Sequence, residues 1–389
     1  MRLLYVIDSL FPGGAARSLA AVAPRLVADG VELDVAYLFE RPGLHAELEA
    51  AGAGIFPLTG SSRIGRWMRA ARLVRDRRPD LIHTTLFEAD IAGRVAVSIG
   101  RVPVVCSLVG LSYGPEQLRD PGLTRWKIRA AREIDAATAR TVRRFHALSR
   151  HVADEMAPRL RVPRERIDVV PRGRDPARMG TRTVRRRREA RRRLGVRPGE
   201  IVVLAAARQE YQKGLDVLLE AFPLVSKRLP QARMFLCGRD GVTTPALRIN
   251  AARFGERVTM LGPRDDVFEL MCAADVLAVP SRSEALGCVL LEAMALETPI
   301  VASDLPAVRE ALDLGTCGRL VTPERPEALA EGILATIADP EGSRRVTQQG
   351  RARFLGRYTV ERVGQEMMGF YRRALGRPAR RPAGALRQS

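Results

Sequence analysis

The chain has 389 residues, 46% of them hydrophobic, a length that suits two domains with cores of their own and contains no apolar run near the ~18 residues of a membrane span. Five scattered cysteines read as free thiols of a reducing compartment, and the four histidines show no metal-ligand spacing. A formal charge of +20 calls for a polyanionic partner unless it is a solvated Arg-rich surface, and 5% aromatics without aromatic and basic interleaving disfavour nucleic acid.

Residues 3–7 read as a buried core strand with no signal-peptide character, 8–14 (DSLFPGG) as a glycine loop, and 15–29 as a helix with Leu19, Val22 and Leu26 at helical spacing. A strand, a Gly pair (Gly13, Gly14) and a helix offer backbone N–H groups and a positive helix end to a phosphate. The third glycine of a dinucleotide fingerprint is missing, so a nicotinamide cofactor is not supported. Strands follow at 31–38, 54–58, 81–84, 102–108, 145–148 and 167–170. Between them the pattern predicts a basic helix over 61–78 bearing Trp67, a loop over 85–90 with a helix over 91–99, a second basic helix over 124–144 bearing Trp126, and a helix over 150–157. This alternation predicts a parallel, doubly wound α/β sheet. The two tryptophans either sit at a lipid interface among arginines or pack within their own domains.

Arginine runs at 185–188 and 191–193 read as a solvated helix leading into a second α/β alternation. Its strands are expected at 201–207, 233–237, 258–261, 276–279, 300–303 and 318–321, with helices over 215–228, 326–338, 342–353 and 359–375 and a disordered basic tail over 377–389. Residues 276–279, 280–282 and the helix from Gly287 give a strand, a break and a helix carrying Glu284 in the turn and Glu292 among apolar neighbours. An ionised carboxylate on such a face needs hydroxyls, amides or a cation. Glu292 therefore either pairs with a buried arginine or receives a ligand's hydroxyls, and Glu284 is either a helix-dipole charge or reaches a cleft at a strand's carboxyl end.

Several stretches carry a resemblance: PGGAARSLAAVAPRL, LIHTTLFEADIAGRVA, VPRERIDVVPRG, AAARQEYQKGLDVLLEAF, FLCGRD, and VTMLGPRDDVFELMCAADVLAVPSRSEALGCVLLEAMALETPIVASD. In this order, over most of residues 1–360, they resemble the nucleotide-sugar glycosyltransferases of GT-B fold, specifically the large retaining family 4. The resemblance implies two Rossmann-like domains facing across a cleft, acceptor domain 1–174 and donor domain 175–358, with a helix over 359–376 crossing back to the first and a basic tail over 377–389. It implies that Arg208 and Lys213 hold the donor diphosphate, that Glu284 lies near the donor sugar, and that Glu292 accepts from the ribose. Gly287 and Cys288 then offer amides to a phosphate, Gly13 and Gly14 close on the same diphosphate, and Arg264 lies by the base. His83 and Glu88 are acceptor-side candidates, His83 being also readable as a hydrogen-bonded core histidine. Two positions depart from the family pattern: Val109 stands where a histidine is common, and Ala285 where a glycine is usual. The implied reaction moves a sugar from a nucleotide diphosphate to an acceptor hydroxyl with retention, without cofactor or metal. The implied setting is the cytoplasmic side of an anionic membrane with a lipid-linked or polysaccharide acceptor. A non-catalytic sugar-nucleotide binder and a GT-B epimerase or phosphorylase are the rival readings.

Overall fold

The computed structural model describes residues 1–60, 62–100, 102–119 and 124–377, so the expected tail lies outside the described residues beyond Arg377. The chain divides into two compact units. The first comprises Met1–Val109, Arg129–Gly173 and the segment from Val360; the second comprises Arg174–Thr359 with the described part of 110–128.

The first unit is built on a parallel sheet of β1 (Arg2–Ile7), β2 (Glu32–Tyr37), β3 (Gly54–Pro57), β4 (Leu81–Thr85), β5 (Val104–Leu108), β6 (Arg144–Ala147) and β7 (Ile167–Val169). Its order is β3-β2-β1-β4-β5-β6-β7. Every residue of β4 and β5 is buried, as expected of parallel strands covered on both faces. The order reverses between β1 and β4, so the loops after these strands open the crevice where α/β sheets bind ligands.

The helix Gly14–Ala28 covers this sheet with Leu19, Ala23 and Leu26, and the last helix, Val360–Ala374, joins the same core through Val363, Met367, Phe370 and Tyr371. A directed hydrogen-bond chain ties that helix to the strands. Burial drives the His146 pKa down to about 4 and that of His83 well below the usual range, so both rings are neutral. Nε2 of His146 lies 2.8 Å from the Val170 carbonyl, which only accepts, so Nε2 carries the proton and Nδ1 is the acceptor. Ser107 must then donate its hydroxyl proton to Nδ1 at 2.8 Å and accept from Nε2 of His83 at 2.7 Å. Nδ1 of His83 is left to accept from the Tyr371 hydroxyl at 2.8 Å. Tyr371→Phe deletes the only proton in this chain that comes from the last helix. It is expected to destabilise the fold by about 1–3 kcal/mol, the cost of a buried acceptor left unmade, read by chemical denaturation. A loss under half a kcal/mol would contradict the assignment of proton positions.

Two helices that lie wholly or mainly in this unit depart most from the sequence pattern. The helix assigned to 91–99 begins at Phe87, because Leu86 turns the backbone sharply with φ 80° and the Asp8 carboxylate accepts from Ala89 N at 2.8 Å, capping the helix start. The second basic helix, assigned to 124–144, is Arg125–Ala139; a turn closed by Thr141 N and Val142 N then hands the chain to β6. Trp126 is 66% exposed, which removes the reading that it packs in a core, whereas Trp67 is half-buried.

The second unit carries a parallel sheet of β8 (Ile201–Ala206), β9 (Ala232–Cys237), β10 (Val258–Gly262), β11 (Val276–Val279), β12 (Ile300–Ser303) and β13 (Arg319–Val321), in the order β10-β9-β8-β11-β12-β13. Here the reversal falls between β8 and β11. The Arg-rich helix, Val184–Arg193, is solvated on one side only. Arg186 binds Glu269, and Arg187 and Arg191 bind Asp275 and the carbonyls that end the helix Val267–Ala273. Besides the five- and four-residue helices Pro115–Arg119 and Pro176–Met179, four short helices escape the periodicity argument: His45–Ala50, Thr244–Ala252, Val267–Ala273 and Pro306–Ala311. At six to nine residues they complete too few turns to show a repeat.

Candidate active site

The loop after β8 carries Arg208 and Lys213, and the loop after β11 carries Ser281, Glu284 and Gly287; the two strands are neighbours at the reversal of the sheet. Nζ of Lys213 donates to Oε1 of Glu284 at 2.6 Å, and the Ser281 hydroxyl donates to the same oxygen at 2.8 Å. Both partners are largely buried, so this is a charge-assisted contact of the strong kind. Gly214 makes the approach possible. It turns with φ 61°, and a Cβ there would run into the Pro280 carbonyl oxygen, a backbone atom that cannot swing aside. Gly214→Ala is therefore expected to push the two loops apart and cut turnover at least tenfold while lowering the melting temperature, measured side by side with wild type. Unchanged turnover would mean that the contact is dispensable.

Arg282 pins the same loops. Its guanidinium donates to both oxygens of Asp216 at 2.9 and 2.6 Å, to the Tyr211 carbonyl at 2.8 Å and to Glu324 at 2.8 Å, while its backbone N–H reaches the Gln212 carbonyl at 2.9 Å. Arg208 projects further out, half-exposed, 3.9 Å from Glu210. A half-exposed cation on a loop whose neighbour Lys213 is locked inward is placed to meet a mobile anionic group.

Gly287, at φ 76°, caps the helix Cys288–Ala295. Glu292, one turn in, has found a cation: Nε of Arg174 donates to its Oε1 at 2.7 Å. Burial works against the charge on Arg174, but Cys288 and Glu292 more than offset it and hold its pKa above the ordinary value. Arg264, on the loop after β10, makes a two-point pair with Asp266 at 2.8 and 2.7 Å. The site residues assigned to this unit thus form a direct Lys213–Glu284 pair, a separate Glu292–Arg174 pair, and a local Arg264–Asp266 pair.

The remaining candidates belong to the first unit. Gly13 caps the helix Gly14–Ala28, and the Arg172 guanidinium lies so close that a Cβ on Gly14 would sit 2.6 Å from its Nη1. His83 is buried and hydrogen-bonded at both nitrogens, which is the core-histidine alternative, yet it also lines a cavity of about 50 Å³ with Tyr5, Ser107, His146, Arg172 and Val109. Glu88 is bound by Arg63, whose Nε donates at 3.1 Å. Sequence reasoning missed Arg174, Ser281 and Arg282. The apolar surroundings of Glu292 demanded a partner, and the basic run at the unit boundary was where to seek one.

A family model described as glycosyl transferases group 1 matches residues 186–353, and one described as glycosyltransferase family 4 matches residues 12–178. Together they take in both sheets. The chain belongs to this glycosyltransferase family. Among curated relatives of this glycosyltransferase family are the alpha-D-kanosaminyltransferase of Streptomyces kanamyceticus, 28% identical over 66% of this chain and 65% of the relative. The phosphatidyl-myo-inositol mannosyltransferase of Mycobacterium tuberculosis is 34% identical over 47% of this chain and 50% of its own. The matches therefore span about half to two-thirds of the length of these curated relatives. The crystal structure of Anabaena Alr3699/HepE in complex with UDP superposes with a TM-score of 0.82 at 24% identity, covering 95% of this chain and 99% of that one. The sucrose-phosphate synthase of Thermosynechococcus elongatus superposes at 0.79 with 20% identity, covering 97% and 100%. At such identities the likeness carries the fold, two Rossmann-like domains of GT-B type.

Proposed function

We propose that the protein transfers a sugar from a nucleotide-diphosphate donor to an acceptor hydroxyl with retained anomeric configuration. The observation that carries this is the Lys213–Glu284 pair at the reversal of the second sheet, with Arg208 on the same loop. Two cations beside a strand's carboxyl end suit phosphate oxygens that gain charge as the sugar departs, and they supply that charge without a metal. Glu284 orients Lys213 and stands by the sugar; Glu292, Gly287 and Cys288 take the ribose and phosphate, with Arg264 by the base. Gly13, Gly14, His83 and Glu88 serve the loop that closes on the diphosphate and the acceptor side. The neighbouring HepE structures hold UDP and UDP-glucose, which supports a uridine donor as the first to try. Nucleotide release measured with UDP-, GDP- and ADP-sugars, and the anomer of the product by NMR, test the reading. Binding of a sugar nucleotide without turnover would favour instead a non-catalytic binder, a reading that Val109 and Ala285 keep in view.

The acceptor we propose is lipid-linked or a growing polysaccharide of the cell envelope, met at the cytoplasmic membrane surface. No helix among the described residues is long and apolar enough to cross a membrane. The helix Arg63–Arg77 instead exposes Ile64 and Met68 on one face, at 68% and 61%, beside a groove floored by Ala71, Val74 and Val102 and edged by Arg69, Arg72, Arg75 and Arg78. Exposed apolar side chains ringed by arginines suit anionic headgroups. Flotation with phosphatidylglycerol-rich vesicles at moderate salt should retain the protein, and Ile64→Glu with Met68→Glu should release it. Equal recovery with neutral vesicles would remove this part.

A further inference from the structure

Arg174 occupies an unusual place in the chain. It is the first residue of the second unit after the chain leaves the first at Gly173, and Thr359 is the last before the chain returns at Val360. The two segments are joined: Arg174 N donates to the Tyr358 carbonyl at 2.9 Å, and Arg174 and Thr359 form an isolated parallel bridge. From this anchored backbone the side chain reaches across to the helix Cys288–Ala295 and binds Glu292 and the Cys288 thiol, one helical turn apart on the same face. Arg174 and Glu292 are 12% and 17% exposed in their side chains, so neither is a loose surface charge.

We propose that Arg174 is a positioning residue for the donor nucleotide, holding the Glu292 carboxylate fixed so that it accepts from the ribose. The proposal rests on the reading of Glu292 as the ribose contact and deepens it. A carboxylate among apolar neighbours needs a hydrogen-bond donor, and the Arg174 guanidinium supplies one at 2.7 Å. A carboxylate that already accepts from a guanidinium nitrogen at Oε1 has its rotation about the last bond removed, so a hydroxyl donor meets a prepared acceptor. The guanidinium is held by the backbone of the crossing segments and not by a mobile loop, which makes the acceptor's position a property of the frame.

Calorimetric titration with UDP, 2′-deoxy-UDP and 3′-deoxy-UDP tests this on the full chain, comparing wild type with Arg174→Met, Arg174→Lys and Glu292→Gln. Wild type should prefer UDP to at least one deoxy form, and Glu292→Gln should abolish that preference. Arg174→Met should weaken UDP about tenfold while barely changing the deoxy form that lacks the relevant hydroxyl, and Arg174→Lys should recover part of the preference. Equal weakening of UDP and both deoxy forms in Arg174→Met would reduce Arg174 to a structural residue and overturn the proposal. So would an unchanged preference in Arg174→Met while Glu292→Gln loses it. A preference that survives in Glu292→Gln, or no UDP binding by wild type, would remove the reading of Glu292 on which the proposal stands. Should the methionine variant not fold, the lysine variant carries the same comparison, since it keeps the charge but not the Nε contact.

Discussion

Lys213→Met is expected to lower kcat at saturating donor by about 10²–10³-fold, the loss typical when one group facing developing charge is removed. Two roles for Lys213 lie in the same geometry, and they separate cleanly. Lys213 either neutralises Glu284, to which it donates at 2.6 Å, or uses that bond as a tether while its charge serves the departing diphosphate. In the first case the double variant Lys213→Met, Glu284→Gln recovers to the activity of Glu284→Gln alone, because the uncompensated buried carboxylate has gone. In the second case the double variant stays as inactive as the single one, because the leaving group has lost its cation. The proposed function requires the second outcome. Glu284→Gln alone keeps an acceptor for Ser281 at 2.8 Å and is expected to lose activity mainly in kcat, with Lys213 freed to wander. Arg208→Met should act on donor KM as well, since that side chain is half-exposed, with Glu210 3.9 Å away. Recovery of the double variant to the activity of Glu284→Gln alone would overturn the assignment of Lys213 to the diphosphate.

The parts of this site that were readable in the sequence share one property: their neighbours in the chain define their setting. Residues 276–279 are an apolar run and Pro280 breaks it, so the position of Glu284 at a strand's carboxyl end follows from local pattern. The same holds for Lys213 after β8. Pairings across long separations were not readable. Glu292 announced a need for a cation, but its partner is 118 residues earlier, and nothing local distinguishes Arg174 from the arginines around it. His83 illustrates a different limit. Its strand was legible, whereas its hydrogen bonds depend on Tyr371, 288 residues away, and on Ser107. The Arg-rich helix Val184–Arg193 looked solvated because charge runs usually are; Arg187 and Arg191 instead close the carbonyl end of another helix and Arg186 binds its Glu269, roles that only tertiary packing reveals.

Arg94→Met is expected to destabilise the protein by about 3–5 kcal/mol, the cost of leaving buried carboxylates without their cation. The guanidinium is 1% exposed and donates through Nη1 to Asp135 Oδ1 at 2.6 Å and to the Thr138 hydroxyl at 2.8 Å, with Asp90 at 4.0 Å. For a unit of this size that is roughly 10 °C in Tm. The same cluster sets a pH dependence whose sign can be worked out. Burial pushes the Asp90 carboxyl up to about 7 against the pull of Arg94, and burial pushes Asp8 up to about 6 against the Ala89 N–H. Folded aspartates with raised pKa bind more protons than the unfolded chain, so their contribution is full below the ordinary carboxylate range and is lost as pH rises towards 6–7. The buried, neutral His83 and His146 act oppositely: their contribution is absent at low pH and grows as pH rises from about 4 towards the ordinary imidazole value of 6.5. The two pairs oppose each other between about pH 4 and 6.5, and wild-type Tm should change little there. Asp90→Asn keeps the shape and fixes the neutral form, removing one of the opposing terms; its Tm should therefore climb with pH across that window. A variant whose profile runs parallel to wild type would show that Asp90 is ionised in the fold at acid pH, and that Arg94 outweighs burial in setting its charge.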